Sequence, residues 1–492
     1  MIEQNLSLLL VVTPLLAAPV TAMLPNGRSP WLFTLIITWI CLFLASWQLS
    51  LVMDGSIISY ELGGWAPPWG IEYRIDPMNA FVALIVAGIA AITLPYALRS
   101  VEQEVPREQS SLFYAAFLLC LVGLLGIVQT GDVFNLFVFL EISSLSSYVL
   151  IAMGKKRRAL TAAYQYLIMG TIGATFLLIG IGLVYAETGT LNMLDLHQRL
   201  QPILDHRTVH TGFAFIVVGI ALKLALFPLH LWLPNAYTYS PSAISVFLAA
   251  TATKVAVYIM LRMVFTVFSS AFVQLTPTNY IFLLLGIVGV VLASVSAIFQ
   301  TDAKRLLAYS SIAQISYMVL GMGFASVLGL TATLVHVFNH ALMKGALFMA
   351  VGAIVYRVGS SRLDEMNGLG RQMPWTFAAI FIGGLSLIGI PGTAGFISKW
   401  YLVLAAIEQQ SWLITAIVLL GSLLAVIYMW KLVEIMFFCP QSNSIPDVKE
   451  APVSFLIPMW ILVIANIYFG INTELTVNIA DTAVRLLGVT AP

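Results

Sequence analysis

Three side chains that bind protons stand four residues apart in the apolar segment LVHVFNHALMKGALFMA, residues 334–350. In a helix, His336, His340 and Lys344 would lie in one stripe on a single face. An ionisable group at bilayer depth costs at least about 2.5–3.5 kcal/mol on insertion scales, so each such residue needs a reason. Imidazoles and amines at this spacing suggest a relay for protons.

Four further apolar segments carry an ionisable residue. Glu141 lies in GDVFNLFVFLEISSLSSYVLIAMG, Lys223 in GIALKLALFPLHLWLP, Lys254 in AATATKVAVYIMLR and Lys399 in LSLIGIPGTAGFISKWYL. One carboxylate and several amines at depth form a set that can take up and release protons. The sequence shows no nucleophile beside a base, no phosphate-binding glycine loop and no clustered metal ligands. We therefore expect an ion transporter subunit without catalytic, cofactor or metal sites, and not an enzyme.

The composition places these segments in a membrane. The 492-residue chain has 60% hydrophobic and 9% charged residues, with a mean hydropathy of +0.96, far from globular averages. Apolar stretches long enough to cross a bilayer recur along the chain, and each is too long for a strand. We predict an all-α integral membrane protein with about 14 transmembrane helices. The predicted spans are roughly 5–24, 32–53, 77–98, 111–129, 133–153, 162–186, 212–239, 243–268, 279–299, 305–324, 327–357, 375–406, 412–438 and 453–471.

Basic residues predict the orientation of the chain. Lys and Arg collect at 154–158, at 301–305 and at Arg357, Arg362 and Arg371, in loops that follow odd-numbered spans. By the positive-inside rule these loops are cytoplasmic, which puts both termini of a multi-pass inner-membrane protein outside. The net charge of +1 implies no nucleic-acid partner.

Two of the predicted spans contain a proline near their lysine. Pro228 follows Lys223 by five residues, and Pro391 precedes Lys399 by eight. Proline removes a backbone donor, and a carbonyl freed in lipid is tolerated only where protein or water covers it. Such broken helices mark a polar cavity near the midplane of the membrane, although a plain kink is the alternative.

The breaks also divide the chain into blocks. Residues 111–268 and 279–438 each hold five predicted spans, and the broken span is the fourth in both. Five is odd, so the second block is inverted relative to the first, as in transporters whose two half-channels open to opposite sides. We predict an N-terminal three-helix segment (1–110), two inverted repeats (111–268 and 279–438), each forming a half-channel, and a C-terminal helix and tail (439–492).

Four segments also carry a resemblance to a known family. GDVFNLFVFLEISSLSSYVL, KLALFPLHLWLPNAY, HVFNHALMKGALF and GIPGTAGFISKW resemble the antiporter-like membrane subunits shared by respiratory complex I, membrane-bound hydrogenases and Mrp-type sodium/proton antiporters. The similarity spans essentially the whole chain. The GDVFNLFVFLEI wording, the lysine at position 399 and the length are most similar to the D-type subunits of Mrp antiporters.

The resemblance implies a role for each buried residue. Glu141 and Lys223 match the glutamate–lysine pair of the first half-channel, Lys254 matches the connecting lysine, and Lys399 matches the terminal lysine of the second half-channel. The stripe 336–344 matches the central relay. The resemblance also implies other membrane subunits as partners, with H⁺ and Na⁺ as the transported ions.

Alternatives stay open at this point for residues and function. Glu141 could be a structural ion-pair partner, Lys254 and Lys344 could be donors that fix helix packing, and His336 and His340 could bond to neighbouring hydroxyls. The chain could be a proton-translocating subunit of a cation/proton antiporter, a proton-pumping membrane subunit of a complex I-like NADH/quinone oxidoreductase or hydrogenase, or a passive scaffold. Buried lysines on broken helices disfavour the scaffold. The sequence does not identify the coupled cation.

Overall fold

The computed structural model describes residues 5–440 and 448–488, and nearly all of this part is helical. The α-helices are α1 (Leu6–Met23), α2 (Arg28–Val52), α3 (Pro77–Glu104), α4 (Ser110–Gln129), α5 (Val133–Ala152), α6 (Arg157–Thr188), α7 (Met193–Leu200), α8 (Arg207–Leu224), α9 (Trp232–Tyr239), α10 (Ser242–Ala250), α11 (Ala252–Leu261), α12 (Ser269–Leu275), α13 (Thr278–Ile298), α14 (Ala303–Gly323), α15 (Val327–Val358), α16 (Leu369–Gln372), α17 (Pro374–Ile388), α18 (Ala394–Glu408), α19 (Trp412–Val433), α20 (Val453–Ile471) and α21 (Glu474–Arg485). Short 3₁₀ turns cover Leu62–Gly64, Arg107–Gln109, Gln201–Ile203 and Leu363–Met366, and π-helical turns cover Arg262–Val267 and Glu434–Phe438.

The helices confirm a multi-pass membrane protein. Thirteen helical stretches in the described part are at least 18 residues long and apolar enough to cross a membrane. The remaining predicted span, 375–406, is divided between α17 and α18, each of 15 residues. Within the predicted C-terminal segment 439–492, residues 441–447 and 489–492 lie outside the described residues.

Two small elements have no counterpart among the predicted ones. Strand β1 (Ile58–Glu61) pairs antiparallel with β2 (Glu72–Ile75) in the connection between α2 and α3. The amphipathic helix α21 follows the last span and packs on α3 and α15, and its Thr482 lies beside Gly55, just before the hairpin. We call this end of the bundle the hairpin face. The opposite end, where the loops 154–158 and 301–305 lie, is the basic face.

The two predicted repeats have the same order and lengths of elements. Helices α4 and α13 have 20 and 21 residues, α5 and α14 have 20 and 21, and α6 and α15 have 32 each. A broken span follows in both blocks, α8–α9 in the first and α17–α18 in the second. The last span of each block then ends in a π-helical turn. Since each block contains five crossings, the second runs inverted relative to the first.

Glycines bring α6 and α8 close together and so position Lys223. A Cβ at Gly219 would lie 2.7 Å from the backbone nitrogen of Leu177, and a Cβ at Gly173 would lie 3.0 Å from the Gly219 carbonyl oxygen. Small residues allow this close approach of backbones, which drives helix packing in lipid. Lys223 lies one turn after Gly219 and is therefore held at a fixed depth in the bundle.

A buried ion pair joins α3 to the end of α11. Asp76 caps α3 by accepting from the backbone nitrogens of Met78 and Asn79 at 2.9 and 3.1 Å. Its Oδ2 also lies 2.6 Å from Nη2 of Arg262. The Nε of Arg262 donates to the hydroxyl of Tyr258 at 3.1 Å. Both charges of this pair are satisfied, so it connects the N-terminal segment to the first repeat.

We expect Arg262→Ala to lower the thermal stability of the purified protein, because removing one partner of a buried pair costs about 3–5 kcal/mol. Arg485→Ala is the matched control, since the Arg485–Asp481 pair is 2.7 Å long but its arginine side chain is 67% exposed, and exposed pairs contribute about 0–1 kcal/mol. The unfolding midpoint in detergent provides the comparison. Equal midpoints for the two variants would contradict a stabilising role for the buried pair.

Candidate functional site

The structure brings Glu141 and Lys223 together. The Nζ of Lys223 lies 3.4 Å from Oε1 of Glu141, and their side chains are 6% and 26% exposed. The same Nζ donates to Ser144 Oγ at 2.7 Å and to the hydroxyl of Tyr148 at 3.5 Å. Positions 141, 144 and 148 follow helical spacing on α5, so a single face of α5 supplies these three partners. A buried amine is thus held by one carboxylate and two hydroxyls.

The break after Lys223 is built into the chain. Helix α8 ends at Leu224, and Ala225 adopts a left-handed conformation with φ 57°. Pro228 lies in the non-helical segment before α9. The indole of Trp232 donates to the carbonyl of Leu222 at 2.9 Å, which satisfies an acceptor that the break would otherwise leave without a helical donor. Protein groups therefore cover the open backbone inside the membrane.

A small cavity extends from this pair toward α11. Its volume is about 30 Å³, and its lining includes Ser144, Ser147 and Lys223 on one side and Ala252 and Val255 of α11 on the other. A water molecule needs at least about 10–15 Å³ of such space. The cavity can therefore place water between Lys223 and the helix that carries Lys254.

Lys254 is fully buried on α11. Its amine binds the carbonyl of Ala249 and the hydroxyl of Thr253, the latter at 3.4 Å. Ala249 is the penultimate residue of α10, whose C-terminal carbonyls are free because the backbone leaves the helical conformation at Thr251 (φ −125°, ψ −60°). Helix α11 also packs on α15, so Lys254 lies next to the stripe of proton-binding residues.

The stripe on α15 is buried along its whole length. The rings of His336 and His340 stack with centroids 5.8 Å apart and planes inclined by 8°. Lys344 donates to the carbonyl of Leu307 at 2.9 Å and to the hydroxyl of Ser310. Among the described residues, neither ring nitrogen of His340 has a protein hydrogen-bond partner. Buried polar groups of this kind are ordinarily bonded to water.

Lys399 lies at the other end of this arrangement, on α18. Its Nζ donates to the carbonyls of Leu387 and Ile388 at 3.0 and 2.8 Å and to Ser422 Oγ at 3.1 Å. These carbonyls end α17, beyond which Gly389 adopts φ 91° and Pro391 follows in the break. The negative end of a helix dipole favours a cation at this position.

Tyr317 and Ser398 connect the stripe to Lys399. Ser398, the neighbour of Lys399 in sequence, lies 2.7 Å from Nδ1 of His336. The ring of Tyr317 lies edge-on to His336, with centroids 6.2 Å apart, and 5.0 Å beneath the Nζ of Lys399. The seven predicted residues thus form a buried series from Glu141 to Lys399.

Sequence reasoning missed the groups that solvate the amines. These are hydroxyls and backbone carbonyls rather than charged residues: Ser144, Tyr148, Ser310, Ser398, Ser422 and the carbonyls of Ala249, Leu307, Leu387 and Ile388. The spacing of Ser144 and Tyr148 from Glu141 is visible in the sequence. The carbonyls are not, because every residue has one. Over residues 5–440 and 448–488, no group of three or more His, Cys, Asp or Glu is arranged to hold a metal ion.

Comparison with known proteins identifies the family of this fold. Residues 130–425 match the family described as NADH:quinone oxidoreductase/Mrp antiporter, transmembrane. The chain belongs to this family. It is 40% identical to the N subunit of the NADH-quinone oxidoreductase of Desulforudis audaxviator, over 97% of this chain and 98% of that protein.

Two further matches come from Mrp-type systems. The chain is 30% identical to the D-type polypeptide of the Na⁺/H⁺ antiporter of Alkalihalophilus pseudofirmus, over 86% of this chain and 85% of that one. A chain of the Mrp complex from Dietzia sp. DQ12-45-1b has the same fold, with a TM-score of 0.92 and 24% identity over 99% and 98% of the two chains. The predicted resemblance to D-type subunits is thereby confirmed. The chain is an antiporter-like membrane subunit of the kind found in multisubunit complexes, which agrees with the predicted membrane-subunit partners.

We expect Ser144→Ala to slow proton transfer through Lys223 by about tenfold, since a hydrogen bond to a charged group contributes about 1.5–3 kcal/mol. Ser146→Ala is the matched control, because Ser146 lies on the same helix and its hydroxyl donates to the Ile142 carbonyl at 2.7 Å. Proton movement is measured in vesicles that hold the assembled complex, normalised to the amount of this chain. Equal rates for both variants would show that the 2.7 Å bond of Lys223 to Ser144 has no part in transfer.

Proposed function

We propose that this chain is the proton-translocating subunit of a multisubunit monovalent cation (Na⁺)/proton antiporter, located in the cell inner membrane with both termini outside. The observation that carries the proposal is the buried series from the Glu141–Lys223 pair to Lys399, which runs through the interior of the bundle beside two helix breaks. The relatedness to D-type antiporter subunits supports the same setting.

In this proposal the Glu141–Lys223 pair acts as a switch. The carboxylate favours the ammonium form of Lys223, whereas burial of the amine opposes it. When a cation screens Glu141 or a proton neutralises it, Lys223 loses its counter-charge and becomes a better proton donor. Protonation of the pair is therefore coupled to an event at Glu141, whose side chain is 26% exposed and is the more accessible of the two.

The proton then moves laterally through the bundle. The cavity beside Lys223 leads to α11 and Lys254, and Lys254 lies close enough to His336, His340 and Lys344 to act on each electrostatically. His336 and Tyr317 continue the series to Lys399. The two repeats, 111–268 and 279–438, then serve as half-channels that open to opposite faces. A membrane potential supplies about 2.3 kcal/mol per charge per 100 mV, enough to bias each such transfer.

A second function is favoured by a specific observation. The 40% identical relative is named as the N subunit of an NADH-quinone oxidoreductase, so the same proton path could serve in the membrane arm of a redox complex. Purification of the native complex distinguishes the two. Small membrane subunits alone support the antiporter, whereas co-purifying iron–sulfur or flavin subunits would replace it with the redox complex.

We expect Glu141→Ala to abolish cation/proton exchange while the complex still assembles, because Lys223 loses the charge that tunes it. Glu141→Asp keeps the charge and should retain part of the exchange. Exchange is followed with a pH-sensitive dye in everted vesicles after addition of Na⁺. Wild-type exchange by the alanine variant would remove Glu141 from the mechanism.

We also expect this chain to be inactive without its partners. It has one deep carboxylate, and a hard cation such as Na⁺ requires several oxygen ligands. The purified chain is reconstituted in liposomes under opposing sodium and proton gradients, with the complete complex as the positive control. Na⁺-dependent proton movement by the isolated chain would show that no partner is needed.

A further inference from the structure

A cavity opens on the basic face between both repeats. It has a volume of about 170 Å³ and lies between the end of α3, the loop after α5, the junction of α9 and α10, and the start of α14. Glu104, Lys155, Ser240 and Lys304 are among its lining residues. It is large enough for several water molecules, each of which needs at least about 10–15 Å³. We call it the basic-face cavity.

Lys304 is a buried amine that the proposed path does not use. The residue is 3% exposed, and its Nζ donates to the carbonyl of Ser240 at 3.3 Å and to Ser245 Oγ at 3.4 Å. A carbonyl and a hydroxyl are the same kinds of acceptor that hold Lys254, Lys344 and Lys399. Lys304 thus resembles the relay lysines in burial and in bonding, although it lies at the mouth of the bundle.

The charges around Lys304 leave its amine free of a direct ion pair with the nearest acid. The charged groups that act on it are Glu104 on α3, Asp302 at the start of α14, and Lys156 in the loop after α5. Glu104 is already bonded to the N-terminus of α10, where it accepts from the backbone nitrogen and hydroxyl of Ser242 at 3.0–3.1 Å. Asp302 caps α14 through the backbone nitrogen of Arg305 at 3.1 Å. Both acids therefore have structural roles, and the amine of Lys304 is held by neutral acceptors.

Lys304 lies one helical turn from the relay. Leu307, whose carbonyl accepts from Lys344 at 2.9 Å, follows Lys304 by three residues on α14, a rise of about 4.5 Å. Ser310, the other partner of Lys344, lies one turn further along. Helix α14 is buried at all of these positions, so the acceptors of Lys344 continue directly from the inner end of the basic-face cavity.

A second connection leads from Lys304 toward Lys254. Ser245 accepts from Lys304 and itself donates to the backbone carbonyl of Tyr237 at 2.8 Å. The side chain of Tyr237 hydrogen-bonds that of Thr253, and Thr253 accepts from Lys254 at 3.4 Å. The cavity therefore lies close to both inner lysines.

We propose that Lys304 and the basic-face cavity form the entry through which protons from the basic face reach Lys344. This inference rests on the proposed function. Water in the cavity transfers a proton to the neutral amine of Lys304. The resulting ammonium transfers a proton to the neutral amine of Lys344, directly or through one water, and Lys304 returns to its neutral form. For flow in the opposite direction the same two transfers run in reverse.

Lys304→Arg separates a proton carrier from a hydrogen-bond donor. Arginine keeps the charge and the donors but does not release its proton in proteins. If Lys304 carries protons, Lys304→Arg and Lys304→Met should each lower exchange by tenfold or more per assembled complex. Lys431→Arg is the matched control, because Lys431 donates to the carbonyls of Ile298 and Gln300 at 2.9 Å on the same face but does not line the cavity. Exchange by Lys304→Arg within twofold of the control would overturn the proposal.

Lys344→Met in parallel distinguishes failure of the entry from failure of the proposed function. An inactive Lys344→Met beside an active Lys304→Arg refutes the entry alone, whereas an active Lys344→Met refutes the proton path itself.

Access to the cavity provides a test that does not depend on transport or on the Lys304 variants. Cys439 is replaced by serine, and Cys41 and Cys120 are buried. In this background Thr238→Cys, which lies in the cavity lining, should react with a membrane-impermeant thiol reagent added to the basic face and not with reagent added to the hairpin face. Thr333→Cys, 1% exposed on α15, is the unreactive control. A Thr238→Cys that stays unreactive from the basic face would show that the cavity is closed to water and would overturn the entry.

Discussion

A lysine amine inside a membrane bundle must find hydrogen-bond acceptors, because no bulk water is available and an unsatisfied polar group in hydrocarbon costs several kcal/mol. An intact helix offers few acceptors, since its carbonyls are bonded to its own backbone. This constraint explains why the buried lysines of this chain occur where they do. Each one contacts a helix end, a hydroxyl or both.

Helix ends within the membrane are the main source of free backbone carbonyls, since the last four carbonyls of a helix have no intrahelical partner. Lys399 binds the end of α17, and Lys254 binds near the end of α10. The interruptions therefore act as solvation sites for cations as well as changes of helix direction. Of the relay lysines, only Lys223 has a carboxylate as partner, which gives the first repeat a switchable counter-charge that the second repeat lacks among the described residues.

Much of the fold could be predicted from the sequence because the membrane imposes strong rules on composition and length. The apolar spans, the two prolines and the five-helix blocks are all visible there, and α20 coincides with the predicted span 453–471. The hairpin and α21 are not, since they are short and lie where the membrane sets no rule. The candidate site is visible through its rare ionisable residues. Its geometry is not, because the acceptors are backbone carbonyls and common hydroxyls, and in the sequence Lys304 is one more basic residue in a predicted cytoplasmic loop.

The contact between Lys399 and the end of α17 has a mechanical consequence. An amine and an ammonium both carry N–H groups, so Lys399 can keep a bond to the carbonyls of Leu387 and Ile388 whether or not it holds the extra proton. A carboxyl group in the same place could bind a carbonyl only while protonated, and would release α17 each time it ionised. Lysine therefore allows the charge at this end of the path to change while the two halves of the broken helix stay joined.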